Sequence, residues 1–432
     1  MVLMSENNSL YDVLIVGAGV FGMSTAYYLK QTDRSLNILV IDREGGAGEG
    51  NTCKSAAGFR NTFSSPENVT LTNTSIDKFV DIEKKDKFNL NLRMCGYLWL
   101  MGIDKYKKSL DAINAMKQNG VDFSVLFAEE LRSVPGLNID EYSSDECKML
   151  GLSRIKCGLL GKKCGSLDPG AIVSYYESEF KKLGGQTKYN TKAESLILEP
   201  KEKLDIPGEP LVWQEPTIAG VRTDKGEIRA KTTLIAAGAW EKELLDPIGI
   251  DSHIKPKKRQ LFQVKGSSLE PLIKCHGFSD TGTLPFTIIQ KSGIYIKPEP
   301  RENCIYVGCA DDIGRAYNLN VEPEREYYEN SILPVLVEVF PQFKNAQLAS
   351  MIAGSYAYNT IDKNPYIFRP LEDLIVVSGD SGSGIMKCDA VGRIASALYW
   401  KDEFAILYPN VPFRVSKLGV TTRDVTFERF VI

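Results

Sequence analysis

A strand, a glycine-rich turn and a helix follow one another directly in residues 11–29, which read YDVLIVGAGVFGMSTAYYL. The apolar run VLIV is typical of a buried parallel strand, and the residues after the turn predict a helix over about 21–30. The turn has the spacing G-x-G-x-x-G, formed by Gly17, Gly19 and Gly22. In such a turn the first glycine permits the tight bend, the second leaves room for a ligand, and the third lets the helix pack closely on the strand.

A second short strand gives this turn the context of a dinucleotide-binding fold. Residues 37–41 (NILVI) are apolar after Asn37 and are followed by Asp42, which lies 20 residues after Gly22. That distance suits a carboxylate that accepts hydrogen bonds from an adenosine ribose. The free N–H groups at the start of the first helix, at Val20 and Phe21, are placed to receive phosphates because the helix dipole favours negative charge there. We therefore expect a bound dinucleotide.

Two later strands favour FAD over NAD. Residues 231–240 (KTTLIAAGAW) form a short apolar strand that ends in small residues. This is a feature of flavoproteins of the two-dinucleotide-binding type, whose late glycine passes close to FAD. Residues 374–385 (LIVVSGDSGSGI) form another strand and a run of small residues, before a helix predicted over about 386–399. The positive end of that helix suits the pyrimidine edge of a flavin, which becomes negatively charged on reduction.

Four further segments match one known family in order along the chain. They are TCKSAAGFR at 52–60, LDPGA at 167–171, PKKRQ at 256–260 and PFRVSK at 412–417. With the glycine-rich turn, they make the chain resemble the D-amino-acid oxidase superfamily, on the branch of sarcosine oxidase, dimethylglycine dehydrogenase and glycine oxidase. The resemblance spans almost the whole chain. It implies an α/β fold, in which an FAD-binding, Rossmann-like domain of the two-dinucleotide-binding type is joined to an α+β substrate domain with an antiparallel sheet.

Both domains are expected to be discontinuous in sequence. The FAD-binding domain takes residues 1–75, 166–249 and 341–432, and the substrate-binding domain takes residues 76–165 and 250–340. Within the substrate domain, 103–119 and 324–339 predict helices. Residues 199–216 hold four prolines and several charges, which predict a surface loop or hairpin.

The motifs and the resemblance together imply a set of residues that contact FAD. These residues lie in the glycine-rich turn, after the second strand, in the loop that follows it, and in the two later glycine-containing turns. They are Gly17, Gly19, Val20, Phe21, Gly22, Asp42, Arg43, Ser55, Ala57, Gly58, Ala237, Gly238, Gly382, Gly384, Ile385 and Met386.

Four side chains are candidates for the chemistry. Arg60 corresponds to an arginine that lies beside the flavin in relatives; the alternative is a surface arginine paired with an acidic residue. Some relatives bind the substrate carboxylate with a lysine at the position of Met386, whereas here the lysine is Lys387, which is turned by about 100° on a helix. Tyr356 and Tyr358 alternate along one strand, so both line the cavity or both pack in the core.

Two departures from the family pattern bear on the cofactor and the electron acceptor. Ser355 stands where relatives with covalent FAD have a cysteine, so we expect FAD to be bound non-covalently, with Cys53 or Cys388 as the alternative attachment. Tyr306 stands where fast oxidases have a lysine, whose charge assists the reduction of oxygen. The nearby Lys297 is the alternative source of that charge.

The composition excludes several other classes of function. A net charge of −3 and a pI of about 5.8 argue against a nucleic-acid partner. Nine cysteines without a C-x-x-C pair, and two histidines, predict neither a metal site nor a Ser–His–Asp triad. Residues 1–10 lack the character of a signal peptide, and no uninterrupted apolar segment is long enough to span a membrane. We therefore expect a cytoplasmic protein with reduced thiols.

The combined prediction is FAD-dependent oxidation of a small amino acid with a secondary or N-alkylated nitrogen, by hydride transfer to flavin N5. The scarcity of histidine favours an amine over an alcohol, which needs a general base. Tyr306 favours a dehydrogenase over an oxidase, with quinone, a flavoprotein or oxygen left open as acceptor and homo- or hetero-oligomers left open as assembly. One alternative is a flavin-dependent 2-hydroxyacid or glycerol-3-phosphate dehydrogenase with His276 as base. The other is an FAD-containing subunit with a structural or electron-transfer role.

Overall fold

Two compact units, each assembled from separate stretches of the chain, make up the protein. The structure is a computed structural model that describes residues 10–289, 292–319, 321–425 and 427–430. The first unit contains Met1–Cys53, Pro169–Lys257 and Tyr356–Val425, and the second contains Lys54–Asp168, Lys258–Ser355 and Thr426–Ile432. Residues 54–75, 166–168, 341–355 and 426–432, which the sequence predicted for the FAD-binding domain, thus belong to the second unit. Residues 250–257, which were predicted for the substrate-binding domain, belong to the first. The predicted role of each unit stays a prediction. Residues 1–9, which carry the signal-peptide expectation, lie outside the described part.

The described residues form helices and strands with the following bounds. The α-helices are α1 Val20–Thr32, α2 Pro66–Lys84, α3 Ile103–Gln118, α4 Ala128–Leu131, α5 Asp145–Met149, α6 Pro169–Lys182, α7 Lys242–Leu245, α8 Glu270–Ile273, α9 Arg325–Tyr327, α10 Leu333–Val339 and α11 Cys388–Trp400. The strands are β1 Tyr11–Val16, β2 Ile38–Ile41, β3 Gly58–Arg60, β4 Tyr97–Gly102, β5 Phe123–Phe127, β6 Ile155–Gly161, β7 Cys164–Ser166, β8 Gln186–Lys188, β9 Ala193–Pro200, β10 Pro216–Thr223, β11 Gly226–Ile235, β12 Ile254–Lys265, β13 Phe286–Ile288, β14 Ile294–Glu299, β15 Cys304–Cys309, β16 Gln347–Asn359, β17 Tyr366–Leu371, β18 Leu374–Ser378, β19 Phe404–Leu407 and β20 Val411–Arg414.

A mostly parallel sheet forms the centre of the first unit. Its strands follow the order β17-β18-β11-β1-β2-β8, with β17 antiparallel to β18 and the other neighbours parallel. Val13, Leu14 and Ile15 of β1 are completely buried, as expected for a central strand that is covered on both faces. Strands β9 and β10 extend β11 as an antiparallel hairpin. The proline-rich residues 201–215 join them, as the sequence predicted.

A buried carboxylate joins the three long helices of this unit. Asp389 on α11 accepts hydrogen bonds from the hydroxyl groups of Tyr28 on α1 and, at 2.9 Å, Tyr176 on α6. Its other oxygen accepts from Arg393 Nε at 2.8 Å. The guanidinium of Arg393 also lies 4.3 Å from the centre of the Tyr28 ring. Burial and the neighbouring carboxylate hold the pKa of both tyrosines well above its usual value, so both remain hydrogen-bond donors.

A second buried carboxyl group belongs to Glu241, which follows β11 closely in sequence. Its side chain is fully buried and accepts a hydrogen bond from the hydroxyl of Tyr366. Burial raises the pKa of Glu241 to about 8. The folded protein therefore keeps this group protonated at pH values at which the unfolded chain ionises it.

A second, mainly antiparallel sheet organises the other unit. Its order is β16-β12-β15-β14-β13-β4-β6-β5. The described strand pairs are antiparallel except β4 with β13, which run parallel because a long connection brings β13 back beside β4 in the same direction. The sheet is therefore mainly antiparallel, as the sequence predicted. Leu98, Phe262, Ile296, Ile305 and Leu336 belong to one buried cluster beneath this sheet. The short strands β3 and β7 pair separately and carry residues 58–60.

The predicted helices are present with shifted ends. Helices α1 and α3 correspond to the predictions at 21–30 and 103–119. The helix predicted from 386 begins two residues later, because Ile385–Lys387 forms a 3₁₀ turn. The helix predicted over 324–339 is divided, because Tyr328–Ile332 adopts a π-helical turn between α9 and α10. Among the described residues, no helix has both the length and the apolar character that crossing a membrane requires.

We predict that Glu241→Gln stabilises the protein increasingly as the pH rises. An unfolded glutamate ionises near its usual pKa of about 4.3, whereas folded Glu241 ionises near 8. Between these values the folded state binds more protons than the unfolded state, so the unfolding free energy of the wild type falls as pH rises. The substituted glutamine cannot ionise and still offers an acceptor to Tyr366. Thermal denaturation at about pH 5 and about pH 8 measures the effect. The exposed Glu243→Gln serves as control, and an equal shift in Tm at both pH values would contradict the prediction.

Candidate functional site

The three glycines of the first turn occupy different environments. Gly17 has a φ of +108°, and a Cβ there would lie 2.4 Å from the carbonyl oxygen of Ala236. A Cβ on Gly22 would lie 1.9 Å from the carbonyl oxygen of Gly17. A Cβ on Gly19 would meet only Thr52 Oγ1 within 4 Å among the described atoms, at 3.4 Å. Gly17 and Gly22 are therefore required by packing, whereas Gly19 borders space that a ligand can use, as the sequence predicted for each position.

The start of α1 beside Gly19 is suited to an anion. Val20 donates its N–H to Thr52 Oγ1 at 3.3 Å, and Met23 N–H begins the helical hydrogen bonds by donating to Gly19 at 3.0 Å. The first turn contains no acidic side chain. Exposed N–H groups and the helix dipole favour negative charge at this point. The arrangement thus fits the diphosphate of FAD, and Phe21 and Gly22 would supply further N–H groups.

Asp42, at the end of β2, holds the glycine-rich turn in place. Its carboxylate accepts hydrogen bonds from the N–H of Ala18 at 2.7 Å and of Glu44 at 2.9 Å. Burial raises its pKa although these two hydrogen bonds oppose the shift. Each oxygen keeps a lone pair for a further donor, so the ribose contact stays a prediction. The guanidinium of the next residue, Arg43, lies 4.0 Å from the ring centre of Trp240.

The two later turns of the first unit are built on glycines in left-handed conformations. Gly238, after Ala237, has a φ of +55° and no described atom within 4 Å of a would-be Cβ. Gly382 has a φ of +90°, and a Cβ there would lie 2.2 Å from the ring of Tyr356. A Cβ on Gly384 would lie 2.2 Å from a carboxylate oxygen of Asp380. The turn at Gly382 and Gly384 is therefore tightly packed against side chains, whereas the turn at Gly238 leaves open space.

The 3₁₀ turn that follows buries all three of its residues, Ile385, Met386 and Lys387. Lys387 is 1% exposed, although lysine is almost never buried to this degree unless its charge is paired. Burial raises the pKa of Asp380 to about 6, and the charge of Lys387 opposes that shift. The positive charge of Lys387 thus favours the ionised form of Asp380. Its predicted role as a carboxylate ligand stays a prediction.

Strand β16 presents Tyr356 and Tyr358 on one face, as alternation predicted. Both are half-buried, whereas Ser355, Ala357 and Asn359 between and beside them are fully buried. The two rings therefore share the more accessible face of the strand. Ser355, the residue that cannot form a thioether, lies on the opposite face.

In the second unit, the loop before β3 has a strained backbone. Ala57 has a φ of +48°, and its N–H donates to Ser55 Oγ at 3.0 Å. A Cβ on the next residue, Gly58, would lie 1.8 Å from the hydroxyl of Tyr97. The ring of Tyr97 stacks on Phe286 with centres 4.2 Å apart. Gly58 is thus required so that this aromatic pair can approach the backbone.

Arg60 is buried at the end of β3, so the alternative of a surface arginine is wrong. Its guanidinium donates to the carbonyl oxygens of Thr62 and, at 3.4 Å, Phe430. It also lies 3.9 Å from the ring centre of Phe63 and 5.5 Å from that of Trp99. Burial lowers its pKa from the usual high value. Within the described residues, no carboxylate oxygen lies within 4.0 Å of the guanidinium.

Lys297 and Tyr306 face each other on the paired strands β14 and β15. Lys297 Nζ lies 5.6 Å from the ring centre of Tyr306 and 3.5 Å from Glu299. Glu299 also binds the guanidinium of Arg93. Burial lowers the pKa of Lys297, while Glu299 opposes the shift. The two alternative positions for a cation are therefore adjacent, and the charge of Lys297 is shared with a carboxylate.

The structure also contains site residues that sequence reasoning did not find. Thr52 was recognised only as part of a motif, yet its hydroxyl accepts the first N–H of α1. Tyr97 and Trp99 read as ordinary strand residues, and they contribute rings beside Gly58 and Arg60. Phe430 carried no signal at all, because its contact with Arg60 joins residues 370 positions apart.

Metal-site chemistry finds no support in the described residues. They contain no group of three or more His, Cys, Asp or Glu side chains that could hold a metal ion. All nine cysteines are thiols rather than disulfides, and eight of them are buried.

We predict that Gly19→Val abolishes FAD binding without unfolding the protein. The added side chain would meet only Thr52 at ordinary contact distance, but it would fill the space beside the first turn of α1. Gln31→Val, at an exposed position near the other end of α1, serves as control. Flavin absorbance relative to protein absorbance measures FAD content, and circular dichroism checks the fold. A Gly19→Val protein that is folded and holds one FAD would show that the diphosphate binds elsewhere.

Comparison with known proteins places the chain in one family. The family described as "DAO: FAD dependent oxidoreductase" matches residues 12–398. The chain is 23% identical over 415 residues to FAD-dependent oxidoreductase domain-containing protein 1 of Xenopus laevis, covering 90% of this chain and 78% of that protein. It is 22% identical over 409 residues to glycine oxidase of Bacillus subtilis (strain 168), covering 91% and 94%. The crystal structure of L-proline dehydrogenase from P. horikoshii matches the fold with a TM-score of 0.72 and 24% identity, covering 91% of this chain and 94% of that one. The chain therefore belongs to the DAO family of FAD-dependent oxidoreductases.

Proposed function

We propose that this protein dehydrogenates a small amino acid whose nitrogen is secondary or N-alkylated. The observation that carries the proposal is the buried guanidinium of Arg60, whose described hydrogen-bond partners are neutral carbonyl groups. A buried cation without a carboxylate partner is suited to bind the carboxylate of a ligand in a bidentate manner. The names of similar proteins, glycine oxidase and L-proline dehydrogenase, support an amino acid as the substrate class.

The amine needs little help from the protein. FAD, when bound, accepts the hydride from the carbon beside the nitrogen. Releasing the ammonium proton to solvent costs only a few kcal/mol near neutral pH, so no strong base is required. Arg60 would fix the carboxylate. Correct orientation of the reacting carbon then provides most of the rate enhancement.

The positions of the two histidines disfavour the hydroxyacid alternative. Oxidation of an alcohol needs a general base, for which histidine is the usual choice. His276 is exposed, and His253 is paired with Asp251 at 3.1 Å. Neither histidine is buried.

The pairing of Lys297 supports a dehydrogenase. Oxygen reduction is favoured by an uncompensated positive charge near the flavin. Tyr306 replaces the lysine of fast oxidases, and Lys297 shares Glu299 with Arg93. We further propose a cytoplasmic location, because nine cysteines without a disulfide suit a reducing compartment.

An anaerobic titration tests the proposal. We expect N-methylglycine, N,N-dimethylglycine or L-proline to bleach the flavin absorbance of the purified protein. Bleaching by lactate or glycerol 3-phosphate, but by none of the amines, would replace the proposal with the hydroxyacid alternative. Bleaching by no small donor, with dithionite still effective, would indicate a structural or electron-transfer role.

We predict that Arg60→Ala lowers kcat/KM for the amino acid that bleaches the flavin by about 10²-fold, because a charge-assisted, desolvated contact to the carboxylate is lost. FAD content should stay the same. Arg60→Lys keeps the positive charge but cannot form bidentate hydrogen bonds with a carboxylate, so it should lower kcat/KM by an intermediate factor. Arg132→Ala, at an exposed arginine, serves as control. A wild-type kcat/KM in Arg60→Ala would remove this residue from the site.

We predict slow reoxidation of the substrate-reduced protein by oxygen and rapid reoxidation by a quinone or dye. Without a free cation the reaction with oxygen should be slower by roughly 10²-fold or more than in a lysine-containing oxidase. Tyr306→Lys should accelerate it. Stopped-flow mixing with oxygenated buffer measures the rate. Rapid reoxidation of the wild type that persists in Lys297→Met would refute both the dehydrogenase assignment and Lys297 as the source of charge.

A further inference from the structure

A short segment that follows the last strand of the first unit belongs to the second unit. Helix α11 and strands β19 and β20 lie in the first unit, but residues from 426 onwards are grouped with the second. Of this segment, Phe427–Phe430 are described, and we name them the tail segment. Phe427 is 65% exposed, whereas Phe430 is 2% exposed. The tail segment is therefore docked by its later residues.

Glu428 attaches the tail segment to the start of α2. Its Oε1 accepts hydrogen bonds from Ser64 N–H at 2.7 Å and Ser64 Oγ at 2.5 Å. Its Oε2 accepts from Ser65 N–H at 3.1 Å, Ser65 Oγ at 3.0 Å and Asn68 Nδ2 at 3.4 Å. Ser65 occupies the N-cap position of a helix of 19 residues, whose dipole also favours the negative charge. These donors form a complete carboxylate site, and the chain's own glutamate fills it.

The hydrogen bonds also keep Glu428 ionised. Burial opposes ionisation, but the donors from Ser64, the N–H of Phe430 and the charge of Arg60 together hold the pKa of Glu428 below its usual value. The docked tail segment therefore carries a negative charge at neutral pH, beside a cation that has no carboxylate within ion-pair distance among the described residues.

Phe430 places the tail segment on Arg60 itself. Its ring packs edge-on against Trp99, with centres 5.0 Å apart at 61°. Its carbonyl oxygen accepts a hydrogen bond from Arg60 Nη2 at 3.4 Å, which is long for such a bond. Arg60 is only 6% exposed in this arrangement. A carboxylate that approached both prongs of the guanidinium would have to displace this carbonyl group.

We propose that the tail segment is an internal ligand that competes with the substrate carboxylate for Arg60, with Glu428 as its anchor and Phe430 as the blocking residue. The proposal rests on the role of Arg60 in the proposed function. Because the tail is tethered, its local concentration is of the order of millimolar, so even weak docking occupies the site. If nine-tenths of the molecules hold the tail docked, removing it lowers the apparent KM about tenfold and leaves kcat nearly unchanged.

Three FAD-loaded variants test the competition: a shortened chain that ends at Val425, and the full chain with either Glu428→Gln or Phe430→Ala. The control is the full chain with Phe427→Ala, which changes an exposed ring of the same segment. We expect all three to lower KM for the amino acid that bleaches the flavin, and the control to resemble the wild type. An unchanged KM would overturn the proposal, because the tail segment would then have no effect on substrate binding. A higher KM or a lower kcat would also overturn it, because the tail segment would then support the site.

A binding measurement keeps docking separate from catalysis. The chain that ends at Val425 is titrated with a synthetic peptide of residues 424–432, and tryptophan fluorescence is followed, with Trp99→Phe to assign the signal. We expect saturable binding that weakens strongly when the peptide carries glutamine in place of Glu428. No binding would overturn the proposal even if the proposed function holds. If the peptide binds but Arg60→Ala has wild-type kcat/KM, the proposed function of Arg60 fails and competition at Arg60 fails with it. If the shortened chain does not fold, the Glu428→Gln variant of the full chain is used instead, both for the measurement of KM and for the peptide titration.

Discussion

At the end of β1, the carbonyl oxygen of Gly17 lies where a side chain on Gly22 would have to stand, and the carbonyl oxygen of Ala236 lies where one on Gly17 would stand. These two close approaches lock β1, α1 and β11 together with almost no space between them. Because the start of α1 is fixed in this way, its N–H groups are held in one direction although the N-cap residue, Gly19, has no side chain to cap them. Asp42 completes the arrangement by binding the intervening Ala18. The anion site is thus produced by packing of backbone on backbone.

Local patterns were sufficient to predict this part of the molecule. The glycine spacing, the apolar strands and Asp42 each report a constraint that acts within a few residues or at a fixed distance, and the parallel order around β1 follows from it. The same reasoning recognised Tyr356 and Tyr358 as sharing a face, since alternation on a strand depends only on neighbours. It did not find the parallel pairing of β4 with β13, because nothing in either segment specifies a partner so distant. It also gave no role to Glu428, because five of its hydrogen-bond donors lie at least 360 residues earlier in the sequence, on Ser64, Ser65 and Asn68.

Buried charged groups serve different purposes in the two units. Asp389 is surrounded by the donors Tyr28, Tyr176 and Arg393, so its charge is compensated and it joins three helices. Removing one partner of such a group usually costs about 3–5 kcal/mol. Arg60 is equally buried but is bound by two neutral carbonyl groups. The desolvation of that guanidinium is a cost that its described partners offset only in part. Such an arrangement favours whichever anion can reach it.

The contact between Tyr28 and Asp389 spans 361 residues, and this separation constrains how the protein is made in the cell. β1 and α1 are synthesised well before β11, which pairs with β1 at one edge, and before α11, which packs on α1. Until then an apolar strand with an unpaired edge is exposed, which favours association with other chains. The first unit therefore completes its sheet only after β17 and β18 have followed, long after β1. A nascent chain of this protein is expected to depend on chaperones that shield β1 and β2 until these later strands emerge.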